Sequence, residues 1–147
     1  MRYRRFPKSG VAASEIGFGL WTLSTGWWGK TNEDDAAQLL QKAFDFGIIF
    51  YDTADTYGNG QGETLLAKAF RGKRQQITIS TKFGYDFYHF TGERKGQQEI
   101  PQNFAPEYVR FACEESLKRL ETDHIDFYQV HNSKMDAVTS DVLFETL

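Results

Sequence analysis

The chain has 147 residues, 40% hydrophobic and 25% charged, which is enough for one domain with its own core and argues against a disordered polymer. A net charge of -3 and a pI near 5.6 give no electrostatic case for nucleic acid or an anionic membrane, and no apolar run approaches the roughly 20 residues of a membrane helix. One cysteine, Cys113, excludes an internal disulfide, and no apolar signal core follows the basic N-terminus, so a reducing cytoplasm is the expected location.

Tyr3-Arg4-Arg5-Phe6 and Val11-Ala12-Ala13 are expected to pair as a β-hairpin across Pro7-Lys8-Ser9-Gly10. Ile16 to Trp21 reads as a short strand whose glycines, Gly17 and Gly19, mark close approach of a backbone or ligand. Thr22 to Lys30, with Gly26-Trp27-Trp28-Gly29, reads as a loop. Asn32 is placed to cap a helix whose first turn holds Glu33, Asp34 and Asp35, the charge favoured at the positive end of the helix dipole. Ala36, Leu39, Leu40, Ala43 and Phe44 follow at helical spacing as its buried stripe, and Gly47 ends it.

Ile48 to Tyr51 is the second expected strand, delivering Asp52 at its end. The loop Gly58-Asn59-Gly60-Gln61-Gly62 leads into a helix from Glu63 to Phe70, with Leu65, Leu66, Ala69 and Phe70 facing inward. Ile77 to Lys82 is the third strand, rich in β-branched residues. The connection from Phe83 to about Phe104 is long enough to imply that it serves a site. Pro106 opens a third helix, with Val109, Ala112, Cys113, Leu117 and Leu120 as its inner stripe; Cys113 reads there as a small core residue rather than a nucleophile. Ile125 to Val130 is the fourth strand, ending at His131, and Asp141 to Leu147 begins a fourth helix. Strand, loop and helix recur four times, which implies parallel strands in a single domain over residues 1–147 with no linker.

Polar side chains fall at matching places in this repeat. Asp52 ends the second strand, Tyr57 lies just beyond it, Lys82 ends the third and His131 ends the fourth. Parallel strands with helical crossovers put all their C-terminal ends on one face, so these groups converge. Each alone has a plain structural alternative: a turn-forming Asp, a solvated Lys, a Tyr hydroxyl bonded to backbone, a satisfied polar His. Together they suit reversible carbonyl reduction, in which a carbonyl oxygen must be protonated as its carbon receives hydride. Tyr57 is the candidate general acid; a free phenol, with a pKa of about 10, is a poor match to neutral pH, and a neighbouring ammonium from Lys82 favours the phenolate. Asp52 would hold Lys82, and His131 would orient the carbonyl. No Cys/His spacing suggests a metal, and no Gly-x-x-x-x-Gly-Lys-Ser/Thr loop is present. His89 and His124 read as structural.

At these residues the chain resembles the aldo-keto reductase family, N-terminal half. Tyr51-Asp52-Thr53-Ala54-Asp55-Thr56-Tyr57-Gly58 is similar to one family motif, and Glu115 to His131, containing Ser116-Leu117-Lys118-Arg119-Leu120 and Asp126-Phe127-Tyr128-Gln129-Val130-His131, to a second. Ser80-Thr81-Lys82 is similar to the strand that carries the family's lysine, and Gly17-Phe18-Gly19-Leu20-Trp21 to its first barrel strand. The resemblance implies an α/β fold of the TIM (β/α)8 barrel type, here about the first four β/α units behind an N-terminal β-hairpin. It implies reduction of an aldehyde or ketone with NADPH, a catalytic tetrad of Asp52, Tyr57, Lys82 and His131, and nicotinamide contacts from Gly19, Leu20, Trp21 and Asp52. Leu20 replaces the Thr often found at its place.

A full barrel takes about 250 residues, so a fragment, a natural truncation and a self-pairing half-barrel joined through exposed sheet edges are all consistent with this length. A non-catalytic binding half-barrel is the alternative function.

Overall fold

The computed structural model describes residues 1–26, 29, 31–93 and 99–147. Among the described residues, six strands fall into two sheets. Strands β1 (Tyr3–Arg5) and β2 (Ala12–Ser14) form an antiparallel hairpin with Tyr3 opposite Ser14 and Arg5 opposite Ala12, and Gly10 takes the positive φ of 73° that its turn requires. Strands β3 (Gly17–Gly19), β4 (Phe50–Asp52), β5 (Thr78–Phe83) and β6 (Phe127–Val130) form a four-stranded parallel sheet in sequence order. The register pairs Gly19 with Asp52, Asp52 with Ser80, and Lys82 with Gln129. The expected strands and their parallel order are therefore present; β3, β4 and β6 are shorter than their apolar runs, and β5 keeps its expected length shifted by one residue.

Among the described residues, six helices connect and cover the sheet. They are α1 (Trp21–Thr25), α2 (Glu33–Asp45), α3 (Gln61–Ala69), α4 (Pro106–Leu120), α5 (Met135–Val138) and α6 (Asp141–Thr146). A 3₁₀ turn, Arg74–Gln76, precedes β5. Helix α2 packs on α3, α3 on α4, and α4 on α6. Asn32 caps α2 as its sequence predicts: the Asp35 N–H donates to Asn32 Oδ1 at 2.8 Å.

Two apolar clusters fill the space behind the sheet. Leu40, Tyr51, Leu65, Leu66, Phe70, Ile77 and Ile79 lie between the sheet and α2 and α3. Phe83, Tyr108, Val109, Ala112, Ala137 and Leu143 lie between β5, α4 and the C-terminal helices. Tyr51, Ile79, Thr81 and Phe83 are buried on this side, so by alternation Asp52, Ser80 and Lys82 stand on the opposite, inner face. The hairpin sits under that inner face: Phe6 contacts the Phe127 ring at 4.6 Å, Phe127 meets Phe50 at 5.9 Å, and the Thr78 hydroxyl donates to the Ala12 carbonyl at 2.5 Å.

Several local expectations change. The Thr22–Lys30 loop contains helix α1, closed by a left-handed Gly26; Trp27, Trp28 and Lys30 of that expected loop lie outside the described residues. Leu39, expected in the buried stripe of α2, is 44% exposed because that face centres on Leu40 and Leu39 falls beyond its edge. Helix α3 begins two residues before Glu63, at Gln61, with Gly60 in the left-handed region at its N-cap. Cys113 and Leu117, expected on the inner stripe of α4, are only half-buried, and burial raises the Cys113 thiol above its ordinary range. An additional short helix, α5, stands between His131 and the expected fourth helix.

Candidate active site

Main-chain bonds between neighbouring strands place the site. Leu20 N–H donates to the Asp52 carbonyl at 2.9 Å, Thr53 N–H to the Ser80 carbonyl at 2.8 Å, Asp55 N–H to the Lys82 carbonyl at 3.1 Å, and His131 N–H to the Phe83 carbonyl at 2.8 Å. The four C-terminal strand ends are thus locked together, and the side chains of Asp52, Tyr57, Lys82 and His131 share one region. The Lys82 ammonium donates to Asp52 Oδ2 at 2.6 Å and to the Thr53 carbonyl at 2.7 Å. It also lies 5.1 Å from the centre of the Tyr57 ring. The Tyr57 and His131 rings meet edge to face, 5.5 Å apart at 82°. All four side chains are half-buried, held on one side and open on the other.

The loop that carries Tyr57 has its own seat. Gly58 takes a φ of +60°, and a Cβ there would overlap the Ser24 carbonyl at the end of α1. A Cβ on Gly62 would overlap the Thr53 hydroxyl. Helix α1, which the sequence hid within an expected loop, therefore supports the backbone next to Tyr57. Its readable signal was Gly26 as a C-cap.

The long connection after β5 packs against the His131 end. The described residues of this connection are 84–93 and 99–104; residues 94–98 lie outside them. Tyr85 and His131 meet at 5.1 Å, the Tyr85 hydroxyl donates to Glu99 Oε1 at 3.0 Å, and Asn132 Nδ2 donates to the Tyr85 oxygen at 2.9 Å. Gln102 Nε2 donates to the His131 carbonyl at 2.8 Å. Phe90 is exposed, whereas Tyr85 is buried, so the aromatics of this connection divide between structure and surface.

Behind the sheet lies a second polar cluster that sequence reasoning missed. Glu63 is wholly buried; it accepts from the Thr81 hydroxyl at 2.6 Å and from Arg119 Nε at 2.7 Å. Arg119 also donates to the Tyr88 hydroxyl at 2.7 Å. Glu63, Leu66 and Phe70 recur at helical spacing, so a carboxylate on an apolar stripe was the available signal. Asp55 lies close by: burial pushes its carboxyl up to about 8, the Glu63 carboxylate adds to the rise, and Arg119, the Thr56 N–H and Lys82 oppose it.

The candidate cofactor residues divide. Gly19 is exposed at the end of β3 beside Asp52, and a Cβ there would meet nothing within 4 Å, so a flat ring has room to lie against it. Trp21, half-buried, opens α1 next to it. The Leu20 side chain is wholly buried in the core, so contact from this residue is limited to its backbone. The open floor of Gly19 and Asp52 fits a nicotinamide. Among the described residues, no group of three or more His, Cys, Asp or Glu is placed to hold a metal ion.

Comparison with known proteins gives the family. The model of the Aldo/keto reductase family matches residues 15–146. The chain is similar to the aldo-keto reductase YhdN of Bacillus subtilis, 38% identical over 133 residues, covering 89% of this chain and 38% of that protein. It is similar to the aldo-keto reductase yakc [NADP(+)] of Schizosaccharomyces pombe, 38% identical over 118 residues, covering 79% of this chain and 33% of that protein. Among solved structures it superposes on the aldo-keto reductase AKR11C1 from Bacillus halodurans (holo form) with a TM-score of 0.82 and 33% identity, covering 99% of this chain and 45% of that one. The chain thus spans less than half the length of each of these proteins. With the match running from before β3 to the last residues of α6, the chain belongs to the aldo/keto reductase family, and its four parallel strands are part of that family's TIM barrel.

Proposed function

We propose that this chain carries the proton-transfer half of a carbonyl reductase, acting on an aldehyde or ketone with Tyr57 as proton donor. The observation that carries the reading is the 2.6 Å Lys82–Asp52 pair set beside the Tyr57 ring, with His131 against the ring's other surroundings. Asp52 holds the ammonium, and the ammonium favours negative charge on the phenol oxygen as its proton leaves. His131 orients the substrate carbonyl toward the phenol. A bound nicotinamide supplies the hydride. Gly19, the Leu20 backbone, Trp21 and Asp52 are the residues proposed to hold its ring, and NADPH is the proposed form by analogy with the relative named for NADP(+). Half-burial of the tetrad keeps one side of Tyr57 open to a small molecule. Cys113 as sole cysteine favours a cytoplasmic setting.

The test is NADPH consumption with a panel of aldehydes, on this chain and on a form extended to a complete barrel. Tyr57→Phe is expected to lower kcat by about a hundredfold or more, the usual scale of general acid catalysis. Full rate in Tyr57→Phe, or no turnover by the complete barrel, overturns the assignment.

A further inference from the structure

Ser80 stands on the inner face of β5, two residues before Lys82, and is buried. Its hydroxyl lies 3.0 Å from Asp52 Oδ1 and 3.1 Å from Gln129 Oε1, two acceptors. A serine has one proton to give, and an ionised carboxylate takes it in preference to an amide carbonyl. Rotated about its last bond, the Gln129 amide presents nitrogen instead of oxygen and donates to the serine. Gln129 is exposed and sits opposite Lys82 in the register, so this rotation meets open space. The result is one chain of donors: Gln129 to Ser80, Ser80 to Asp52, with Lys82 donating to the other carboxylate oxygen.

We infer that Ser80 and Gln129 are positioning residues, which fix the Asp52 carboxylate at one oxygen so that the other stays on the Lys82 ammonium. The inference rests on the role proposed above for Lys82 beside Tyr57. A carboxylate bonded at a single oxygen turns freely about its last bond; bonded at both, it does not. Asp52 needs the restraint, because its side chain is 36% exposed and water competes for it. Lys82 needs it too, since its ammonium, at the end of a long flexible stem, is set by its bonds to Asp52 and the Thr53 carbonyl. The Ser80 carbonyl accepts from Thr53 N–H independently of its side chain, so Ser80→Ala removes the hydroxyl and leaves the strand pairing intact.

Competitive acylation of the lysines with acetic anhydride, read residue by residue by mass spectrometry, tests this without turnover, with Lys68 as internal reference. Ser80→Ala, which removes a hydrogen bond to a charged group, is expected to speed Lys82 modification about tenfold, and Gln129→Leu, which removes a neutral one, about twofold. Asp52→Ala should speed it more than either, and Ser80→Thr should match the unaltered chain. The inference fails if Asp52→Ala accelerates labelling while neither Ser80→Ala nor Gln129→Leu does, or if Asp52→Ala itself has no effect. Gln129 is exposed, so its variant remains informative if Ser80→Ala does not fold. Where turnover is measurable, Ser80→Ala should lower kcat about tenfold with KM unchanged. Absence of turnover in the complete barrel counts against carbonyl reduction, and the labelling comparison still decides the positioning role.

Discussion

Two of the carboxylate–cation pairs along strand β5 have nearly the same length and differ in how exposed the carboxylate is. Lys82–Asp52 measures 2.6 Å and Arg119–Glu63 2.7 Å. Thr81 and Lys82 are consecutive, so the pleat sends one side chain to each pair. Glu63 has 0% side-chain exposure and both its oxygens are occupied, by Thr81 and Arg119, while Arg119 spends another donor on Tyr88. Asp52 is 36% exposed, whereas the two cations are alike, Lys82 at 17% and Arg119 at 18%; the Lys82 ammonium lies 5.1 Å from the centre of the Tyr57 ring. In the closed pair the buried carboxylate ties α3, α4, β5 and the Tyr88 loop together. In the open pair the solvent-facing carboxylate has both oxygens bonded as well, to Ser80 and Lys82, and differs in its access to water. Neither distance nor the number of bonds separates the two pairs; the carboxylate's solvent access does.

The comparison is broken most severely at the closed pair. Glu63→Gln leaves Arg119 largely buried without its counter-charge, and breaking a buried pair on one side costs about 3–5 kcal/mol. Urea denaturation should show that loss, and the double variant Glu63→Leu with Arg119→Met should recover most of it, since apolar replacement of both partners is often neutral. A loss below about 1 kcal/mol in Glu63→Gln would place the pair with ordinary surface ion pairs instead.

Asp55 sharpens the comparison through pH. Its folded value of about 8 lies above the unfolded carboxylate value of about 3.9, so the folded state binds more protons between the two. Its contribution to stability is fully present below about pH 4, is lost as pH rises towards 8, and changes no further above that. Asp55→Asn, which stays neutral, should flatten the fall in urea midpoint between pH 5 and pH 8. An unchanged slope would mean that Asp55 ionises as a solvated carboxylate does.

The open pair was legible in the sequence and the closed one was not, for a physical reason. Asp52, Lys82 and His131 lie at the ends of apolar runs, where a change of character announces a strand end. Glu63 and Arg119 lie inside helices, where charged residues are common and usually solvated, and only their partners reveal that they are buried. The parallel sheet followed from the fourfold repeat, and the caps at Asn32 and Pro106 fell where expected. Helix α1 escaped because five residues around Thr22-Leu23-Ser24 carry no apolar period, and its hydroxyls bond back to their own turn: Ser24 to the Leu20 carbonyl and Thr25 to the Trp21 carbonyl. Ser80 and Gln129 were visible only as polar residues sharing a face with Lys82, and their meaning required the register.

Lys82→Met is the smallest expected perturbation of the fold and completes the contrast. The methionine keeps the unbranched stem against its neighbours and removes the charge. Asp52 is left without its ammonium, but it keeps the Ser80 hydroxyl at 3.0 Å and has access to water, so little desolvation is stranded. The loss in urea denaturation should be about 1 kcal/mol or less, the range of pairs open to solvent. Turnover in a complete barrel should fall by far more than stability does, because the group that favours charge on the Tyr57 oxygen is gone. If Lys82→Met instead destabilises the chain as strongly as Glu63→Gln, the two pairs are equivalent structural ties, and the open one holds the strand ends together rather than serving a substrate.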